Sequence, residues 1–345
     1  MKKAWAVFFA AAGLILVYYL NVYVPEQKKK LDAAAAAERP EAVNYILREI
    51  LLSGRLITNV KGSEYTVKLP LRYSPGDIKP LMKKHTASRG GVDAKVRVFG
   101  GREKEGAEVL FFIEEKEFLK VIFERSLKPK IAVILDDYGY NTRNLHYLKK
   151  IKYPFTAAVL PNQPYSRAAA AAAHKNGKEV IMHLPMEPKG NIPLEPKTVK
   201  NNMTAKEITD VFSKSLETVP YAAGVNNHQG SLATENVRLM SAVLEQIRKN
   251  NFYFIDSRTS VDTKGLATAG KMGVPSNWRN IFIDNEKDID YNRVQLEQAE
   301  STALKKGYAV AIGHDSKTTY EALMKFMPES EERGYEFVFA SELVF

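Results

Sequence analysis

Ile131-Ala-Val-Ile-Leu-Asp-Asp-Tyr-Gly139 decides the fold. An apolar run that ends in two acids and a Tyr-Gly pair is the pattern of a strand buried on both faces as it leaves a sheet. The same grammar recurs down the chain. Val180–Met182 runs into His183, and Gly224 and Val225 lead to Asn226, Asn227 and His228. Phe252–Ile255 stops at Asp256 and Ser257, Ile281–Ile283 stops at Asp284, and Ala309–Ile312 passes through Gly313 into His314. The carboxyl ends of parallel strands gather at one edge of the sheet, where α/β folds place their sites. Polar groups from Asp136 to His314 are therefore expected to converge on one pocket.

Helical segments alternate with these strands. Thr204-Ala-Lys-Glu207 is a capping box opening a helix toward Leu216. Thr234 is expected to open another, whose inner face carries Val237, Met240, Val243, Leu244 and Ile247. With Thr156–Leu160 and Phe337–Ala340 added, about eight short strands alternate with helices, which implies parallel pairing and right-handed crossovers. The expected fold class is α/β, a distorted or irregular (β/α) barrel rather than an open doubly wound sheet. No G-x-G-x-x-G or Walker sequence occurs, so a nucleotide-binding reading has no support.

Upstream, the chain changes character. Lys2 and Lys3 precede an apolar run from Ala4 to Leu20, continuing weakly to Val24 before Pro25 stops it. About twenty residues span a bilayer as a helix. Tyr18, Tyr19 and Tyr23 suit a membrane interface and occupy the place where a cleaved signal peptide would carry small residues. Residues 1–25 are thus expected to be an uncleaved transmembrane anchor in the inner or cytoplasmic membrane, single-pass, with the bulk of the chain exported. Residues 26–40 are charged and alanine-rich and read as a stalk. Residues 41–126 read as a small α+β domain, with Val43, Ile46, Leu47, Ile50 and Leu51 at helical spacing and strands at Tyr65–Leu71, Val96–Phe99 and Val109–Glu114. Phe118–Phe123 fits either a strand or a helix. His85 reads as a solvated histidine in a polar loop. Leu127-Lys-Pro-Lys130 is the joint to the catalytic domain, 127–345.

The chain has no cysteine, which excludes disulfides, thiolate metal sites and cysteine nucleophiles. The net charge of +10 is spread along the sequence without a compact basic block. That composition argues against nucleic acid as a partner and names no protein partner. His146 and His174 fall in expected helices.

Asp136 and Asp137 stand together at a strand end, where the chain can bend and both can reach one pocket. One could ligate a metal and the other accept a proton. A histidine such as His183, inside an apolar run, must satisfy its ring nitrogens with a hydrogen bond or a metal. Two histidines and a carboxylate are a common zinc set in hydrolytic sites. A further carboxylate then serves as base and a further histidine as acid. The expectation from the residues is a hydrolase dependent on a divalent metal, zinc first.

These stretches resemble the divergent polysaccharide deacetylase family of bacterial envelope proteins. The resemblance rests on Ile131–Gly139, Ala158-Val-Leu-Pro-Asn162, His183-Leu-Pro-Met-Glu-Pro188 and Gly224-Val-Asn-Asn-His-Gln-Gly-Ser231. Phe254-Ile-Asp-Ser-Arg-Thr259, Phe282-Ile-Asp-Asn285 and Ala311-Ile-Gly-His314 complete it. It covers Lys130 to Phe345 and implies a distorted (β/α) barrel that removes acetyl groups from an N- or O-acetylated envelope polysaccharide or peptidoglycan-like glycan. It implies Asp136 as base, Asp137 as metal ligand with His183 and His228, and His314 as acid. Asn227, Asp256, Ser257, Arg258 and Asp284 stand around them as supporting or substrate-binding groups. Ordinary deacetylases carry two histidines four residues apart; here position 187 is Glu187, so the second histidine comes from a distant loop. Gln229 replaces a customary methionine and Asp315 a customary proline. The alternative expectation is a non-catalytic glycan-binding or envelope scaffold protein that keeps the fold.

Overall fold

The computed structural model describes residues 57–69, 74–87, 92–101, 104–113 and 115–345. The expected anchor, the stalk and the helical repeat Val43–Leu51 lie outside them. Among the described residues no helix is long and apolar enough to cross a membrane. The chain divides between Leu127 and Lys128 into two compact units.

The first unit is a five-stranded sheet with a helix. Strands β1 (Ile57–Lys61), β2 (Glu64–Lys68), β3 (Val92–Gly100), β4 (Lys104–Ile113) and β5 (Lys116–Ser126) pair in the order β1-β2-β5-β4-β3. Only the β2–β5 pair is parallel. Period-two alternation builds a one-sided core from Tyr65, Val67 and Leu69, from Ala107, Val109 and Phe111, and from Leu119, Val121 and Phe123. Helix α1 (Ile78–Ala87) covers it with Ile78 and Met82, one turn apart. Of the two elements that Phe118–Phe123 fits, the structure has the strand. One expectation changes: the segment carrying His85 is the end of α1 rather than a loop.

The second unit is a curled parallel sheet flanked by helices. Its strands are β6 (Lys130–Tyr138), β7 (Thr156–Val159), β8 (Glu179–Met186), β9 (Ala222–Gln229), β10 (Tyr253–Asp256), β11 (Ser276–Trp278), β12 (Ile281–Phe282), β13 (Tyr308–His314) and β14 (Glu336–Val338). The order is β11-β10-β9-β8-β7-β6-β13-β12, all parallel, with β14 beside the first half of β6. The two ends of this order are neighbours in sequence. Only Arg279 and Asn280 separate β11 from β12, and their N–H groups donate to Asp256 O (2.9 Å) and Val310 O (2.8 Å). One bent segment thus touches both β10 and β13, and the sheet must curl into at least a half-barrel.

The curl gives each strand an inner and an outer parity. Ile131, Val133 and Leu135 pack outward into the core shared with the helices, while Ala132 and Ile134 are buried on the other side. The helices covering that outer face are α2 (Tyr147–Lys150), α3 (Ser166–Lys175), α4 (Ala205–Leu216), α5 (Val237–Lys249), α6 (Gly265–Lys271), α7 (Ile289–Lys306) and α8 (Lys317–Glu332). Helix α4 opens on the expected box: Thr204 Oγ1 accepts from Glu207 N (3.3 Å) and Glu207 Oε2 accepts from Thr204 N (2.8 Å). Helix α5 is capped by Asn236 instead of Thr234, because the Thr234 hydroxyl is spent on Gly230 O (2.7 Å). The shift turns Val237 outward, 54% exposed, and brings Leu239 inward.

Leu244, fully buried in α5, sets a stability test. Leu244→Ala is expected to cost about 2–5 kcal/mol by denaturant unfolding, whereas Val237→Ala should stay within about 0.5 kcal/mol. Equal effects would mean that the helix face is misassigned.

Candidate active site

Asp136 continues the inner parity of β6. Asp137 should by alternation point outward, but its backbone is left-handed (φ 69°) and the register with β7 shifts between Leu135 and Tyr138. This local turn, costly for a residue with a side chain, swings the Asp137 carboxylate back over the strand ends. Gly139 completes it at φ 120°, where an added Cβ would stand 3.1 Å from Leu160 O.

The Asp137 carboxylate meets histidines from two adjacent strands. Its Oδ1 lies 3.4 Å from His183 Nε2 and 3.1 Å from His228 Nδ1, and those nitrogens are 3.2 Å apart. Pro185 on β8 is opposite His228 on β9, so the two rings meet edge to face, 4.9 Å between centroids. Among the described residues, Asp137, His183 and His228 form a group able to hold a metal ion. Tetrahedral bonds of about 2.0–2.1 Å place ligand atoms about 3.3–3.4 Å apart, and these three donor atoms already form such a triangle. Among the described residues, buried Asp137 Oδ1 has these two ring nitrogens as its close polar neighbours and neither in a well-formed hydrogen bond, an arrangement that a cation between the three would satisfy.

Asn226 orients the group. It is opposite His183 in the β8–β9 register and on the same inner parity as His228. Its Nδ2 donates to Asp136 Oδ1 (2.8 Å), which directs its Oδ1 at His183 Nδ1 (2.7 Å). His183 therefore carries a proton on Nδ1; burial opposes a second one, but Asp136 and Asp137 raise the ring's proton affinity, and with a metal bound the Nε2 lone pair would be the one offered to it, as outer hydrogen bonds commonly fix metal-binding imidazoles. Burial raises the Asp136 carboxyl above its ordinary value despite the nearby His183. Asp137 goes the other way: burial opposes its charge, but His183 and His228 hold it well below the usual carboxylate range.

His314 faces this group from β13, where it is opposite Asp136. Its Nδ1 bonds Asp284 Oδ1 (2.9 Å), and its backbone N–H donates to Asp284 Oδ2 (2.7 Å), which also accepts from Thr319 Oγ1 (2.6 Å). Gly313 permits that approach, since a Cβ there would stand 3.3 Å from Asp284 Oδ2. Burial alone would lower the imidazole, but Asp284, with the charges of Asp137 and Asp136, raises it to about 9. Asp315 turns aside. Its backbone N–H donates to Asp136 O (2.8 Å) and its Oδ1 accepts from Tyr320 (3.0 Å), whose hydroxyl also bonds that of Tyr138.

The remaining residues divide by parity. Asn227 faces the other side, where its Oδ1 accepts from Ser257 N (2.9 Å) and its Nδ2 donates to Gln229 O (2.8 Å). Asp256 is spent on its own loop, accepting from Arg258 N (2.9 Å) and Thr263 Oγ1 (2.7 Å). Arg258 lies over the Trp278 ring, 4.4 Å to the centroid. Glu187 anchors a loop by accepting from Asn201 N (2.6 Å). His146 is exposed against Arg143 O, and His174 stacks on Tyr221 at 3.9 Å. Reading the residues one at a time misses Asn226, Thr319 and Arg279. Period two in Gly224–His228 carries the signal for the first of these, because Asn226 and His228 share one face and Asn227 has the other.

Residues 133–344 match the model of the divergent polysaccharide deacetylase family. The chain belongs to that family. Two curated relatives are themselves uncharacterized. Protein YibQ of Escherichia coli (strain K12) is 37% identical over 204 residues, which are 58% of this chain and 63% of that protein. The aligned region therefore spans just under two-thirds of that relative. A protein of Haemophilus influenzae (strain ATCC 51907 / DSM 11121 / KW20 / Rd) is 30% identical over 205 residues, 59% of this chain and 73% of its own length. Among solved structures, the uncharacterized protein ATU2773 from Agrobacterium tumefaciens C58 superposes with a TM-score of 0.59 at 20% identity, over 62% of this chain and 88% of its own. That likeness concerns the fold, and the family's fold is the curled parallel sheet described above.

The His314–Asp284 pair makes a measurable claim. NMR titration of the His314 imidazole should give a midpoint near 9, and Asp284→Asn should return it toward the ordinary 6.5. Because the folded value is the raised one, the pair's stabilisation is complete below the ordinary histidine pKa and is lost as pH rises through about 9. A wild-type midpoint at the ordinary value would remove the pair from the site's electrostatics.

Proposed function

We propose that the chain is a zinc-dependent hydrolase that deacetylates an N- or O-acetylated envelope polysaccharide, of which a peptidoglycan-like glycan is the leading candidate. One observation carries this reading: Asp137 Oδ1, His183 Nε2 and His228 Nδ1 converge with mutual distances of 3.1 to 3.4 Å. Membership of the family supports the acetylated glycan. The apolar amino-terminal run supports an anchor in the cytoplasmic membrane with the bulk exported, where such a polymer lies.

A zinc ion on the three ligands would polarise the acetyl carbonyl and acidify a water at the site. The chain's own groups divide the proton work. Asp136 has one oxygen committed to Asn226, which leaves Oδ2, 3.6 Å from His183 Nε2, to accept a proton. Its raised proton affinity suits a general base. His314 holds its Nδ1 proton on Asp284, so Nε2–H is the one available to the departing amine or alcohol. The edge of His314 against Phe282, 5.4 Å between centroids, steadies the ring.

Zinc content and acetate release test this together. The wild-type chain should bind about one zinc, and His183→Ala and His228→Ala should each lose it. Asp136→Asn should keep the metal and lose about 10²–10⁴-fold in acetate release from acetylated chito-oligosaccharide or peptidoglycan. Unchanged zinc in both histidine variants would sink the ligand assignment. Unchanged turnover in Asp136→Asn would sink the base. Asp284→Asn should also move the alkaline limb of the pH–rate profile to lower pH, since His314 then loses its proton earlier.

A further inference from the structure

Among the described residues two arginines near the strand ends, Arg258 after β10 and Arg279 between β11 and β12, form no salt bridge. Arg279, in the bent segment between β11 and β12, donates through Nε to Ser257 O (2.7 Å) and through Nη2 to Arg258 O (3.0 Å). Its guanidinium lies on the Phe282 ring at 4.9 Å, and that same ring touches His314. Arg258 lies on Trp278 and is held in a left-handed backbone conformation (φ 49°) by the Asp256 carboxylate. Among the described residues neither guanidinium has a carboxylate oxygen within 4.0 Å. Asp256 and Asp136 are close enough to act on Arg279 at a distance, but neither pairs with it: Asp256 accepts from its own loop and Asp136 Oδ1 accepts from Asn226.

Holding two like charges together in a half-buried wall, one of them on a strained backbone, costs stability. Burial lowers the proton affinity of Arg279, and the like charge of Arg258 adds to that. Ser257, between Asp256 and Arg258, adds a buried hydroxyl with no partner among the described residues. Planar guanidinium forks held in fixed positions, with a spare hydroxyl, match the oxygens of a carboxylate or phosphate.

We infer that Arg258 and Arg279, with Ser257, form an oxyanion-recognition site on the wall between β10 and β13, so that the acetylated sugar bound here is an acidic one. This rests on the deacetylase reading for the acetyl group but not for the anion. The metal group draws the acetyl carbonyl to one side of the mouth, and the arginines draw the sugar's own anionic substituent to the other.

The test is equilibrium binding by calorimetry to the full chain, with three sugars: N-acetylglucosamine, its lactyl ether N-acetylmuramic acid, and N-acetylglucosamine 6-phosphate. At least one acidic sugar should bind about tenfold or more tighter than the neutral one, with the gap narrowing as salt rises. The carboxylated arm winning assigns a sugar acid, and the phosphorylated arm winning assigns a sugar phosphate. Arg258→Gln should abolish the preference while zinc content stays as it was. Arg258→Lys should restore only part of it, because an ammonium lacks the fork. Equal affinity for all three sugars, no binding of either acidic sugar, or a preference that survives both Arg258→Gln and Arg279→Gln overturns the inference. An anion preference without acetate release would count against the deacetylase reading alone. Equal acetate release from neutral and acidic substrates, with equal binding, would count against the anion site alone.

Discussion

The Asn226 amide, buried between Asp136 and His183, is the contact on which the site depends. It spends its donor on one carboxylate and its acceptor on one imidazole N–H. Both neighbours lose a degree of freedom: Asp136 keeps one oxygen for chemistry, and His183 keeps one lone pair. A hydrophobic residue of the same size would leave two buried polar groups unpaired, at about 1–3 kcal/mol each. It would also free the His183 ring to adopt the other tautomer, in which the nitrogen facing Asp137 carries a proton and cannot ligate.

That arrangement gathers charge where folding does not favour it. Asp136 and His183 are almost wholly buried, and Asp137 and His228 are partly so. Two carboxylates and two imidazoles in one desolvated space are poorly matched without a proton or a cation among them. The chain separates them by environment. Asp136 sits deep and is pushed toward its neutral form, whereas Asp137 is paired with both rings and stays ionised. His314, on the adjacent strand β13, owes its charge to a different carboxylate, Asp284. Base, ligand and acid thus arise from three local environments on one strand-end surface, a division familiar wherever paired acids must act differently.

Much of this was legible in the sequence. Apolar runs ending in acids and histidines marked β6, β8, β9, β10 and β13 because a strand buried on both faces has no other pattern available. The Thr204–Glu207 box was legible because capping is local. What escaped was non-local. Thr234 has the chemistry of a cap, but a tertiary contact with Gly230 takes its hydroxyl. The left-handed turn at Asp137 has no sequence signal, since aspartate serves ordinary turns as readily. Arg279 was invisible as a site residue because nothing in Asn277-Trp-Arg-Asn280 says that this segment bridges the two ends of the sheet. Asn226 and Asn227 look alike until the strand is registered against its neighbour. Only then does one face His183 and the other Ser257.

The dispersal of the ligands has a structural consequence. Where two histidines lie one helical or loop turn apart on a single segment, local geometry alone holds them. Here Asp137, His183 and His228 come from β6, β8 and β9, and Glu187, the position that a single-segment pair would use, is bound to the loop at Asn201. The donor triangle therefore exists only in one register of the β8–β9 pair, with His183 opposite Asn226 and Pro185 opposite His228. A slip of one residue would exchange Asn226 for Asn227 and turn His228 out of the curl, because the side-chain period in a strand is two. What resists the slip is the outer face: Met182, Leu184 and Met186 of β8 and Val225 of β9 are buried in the helix-covered core, and a slip would turn that apolar set inward. The apolar packing that makes the sheet is thus also what assembles the site, and the site's polar residues need contribute nothing to the choice of register.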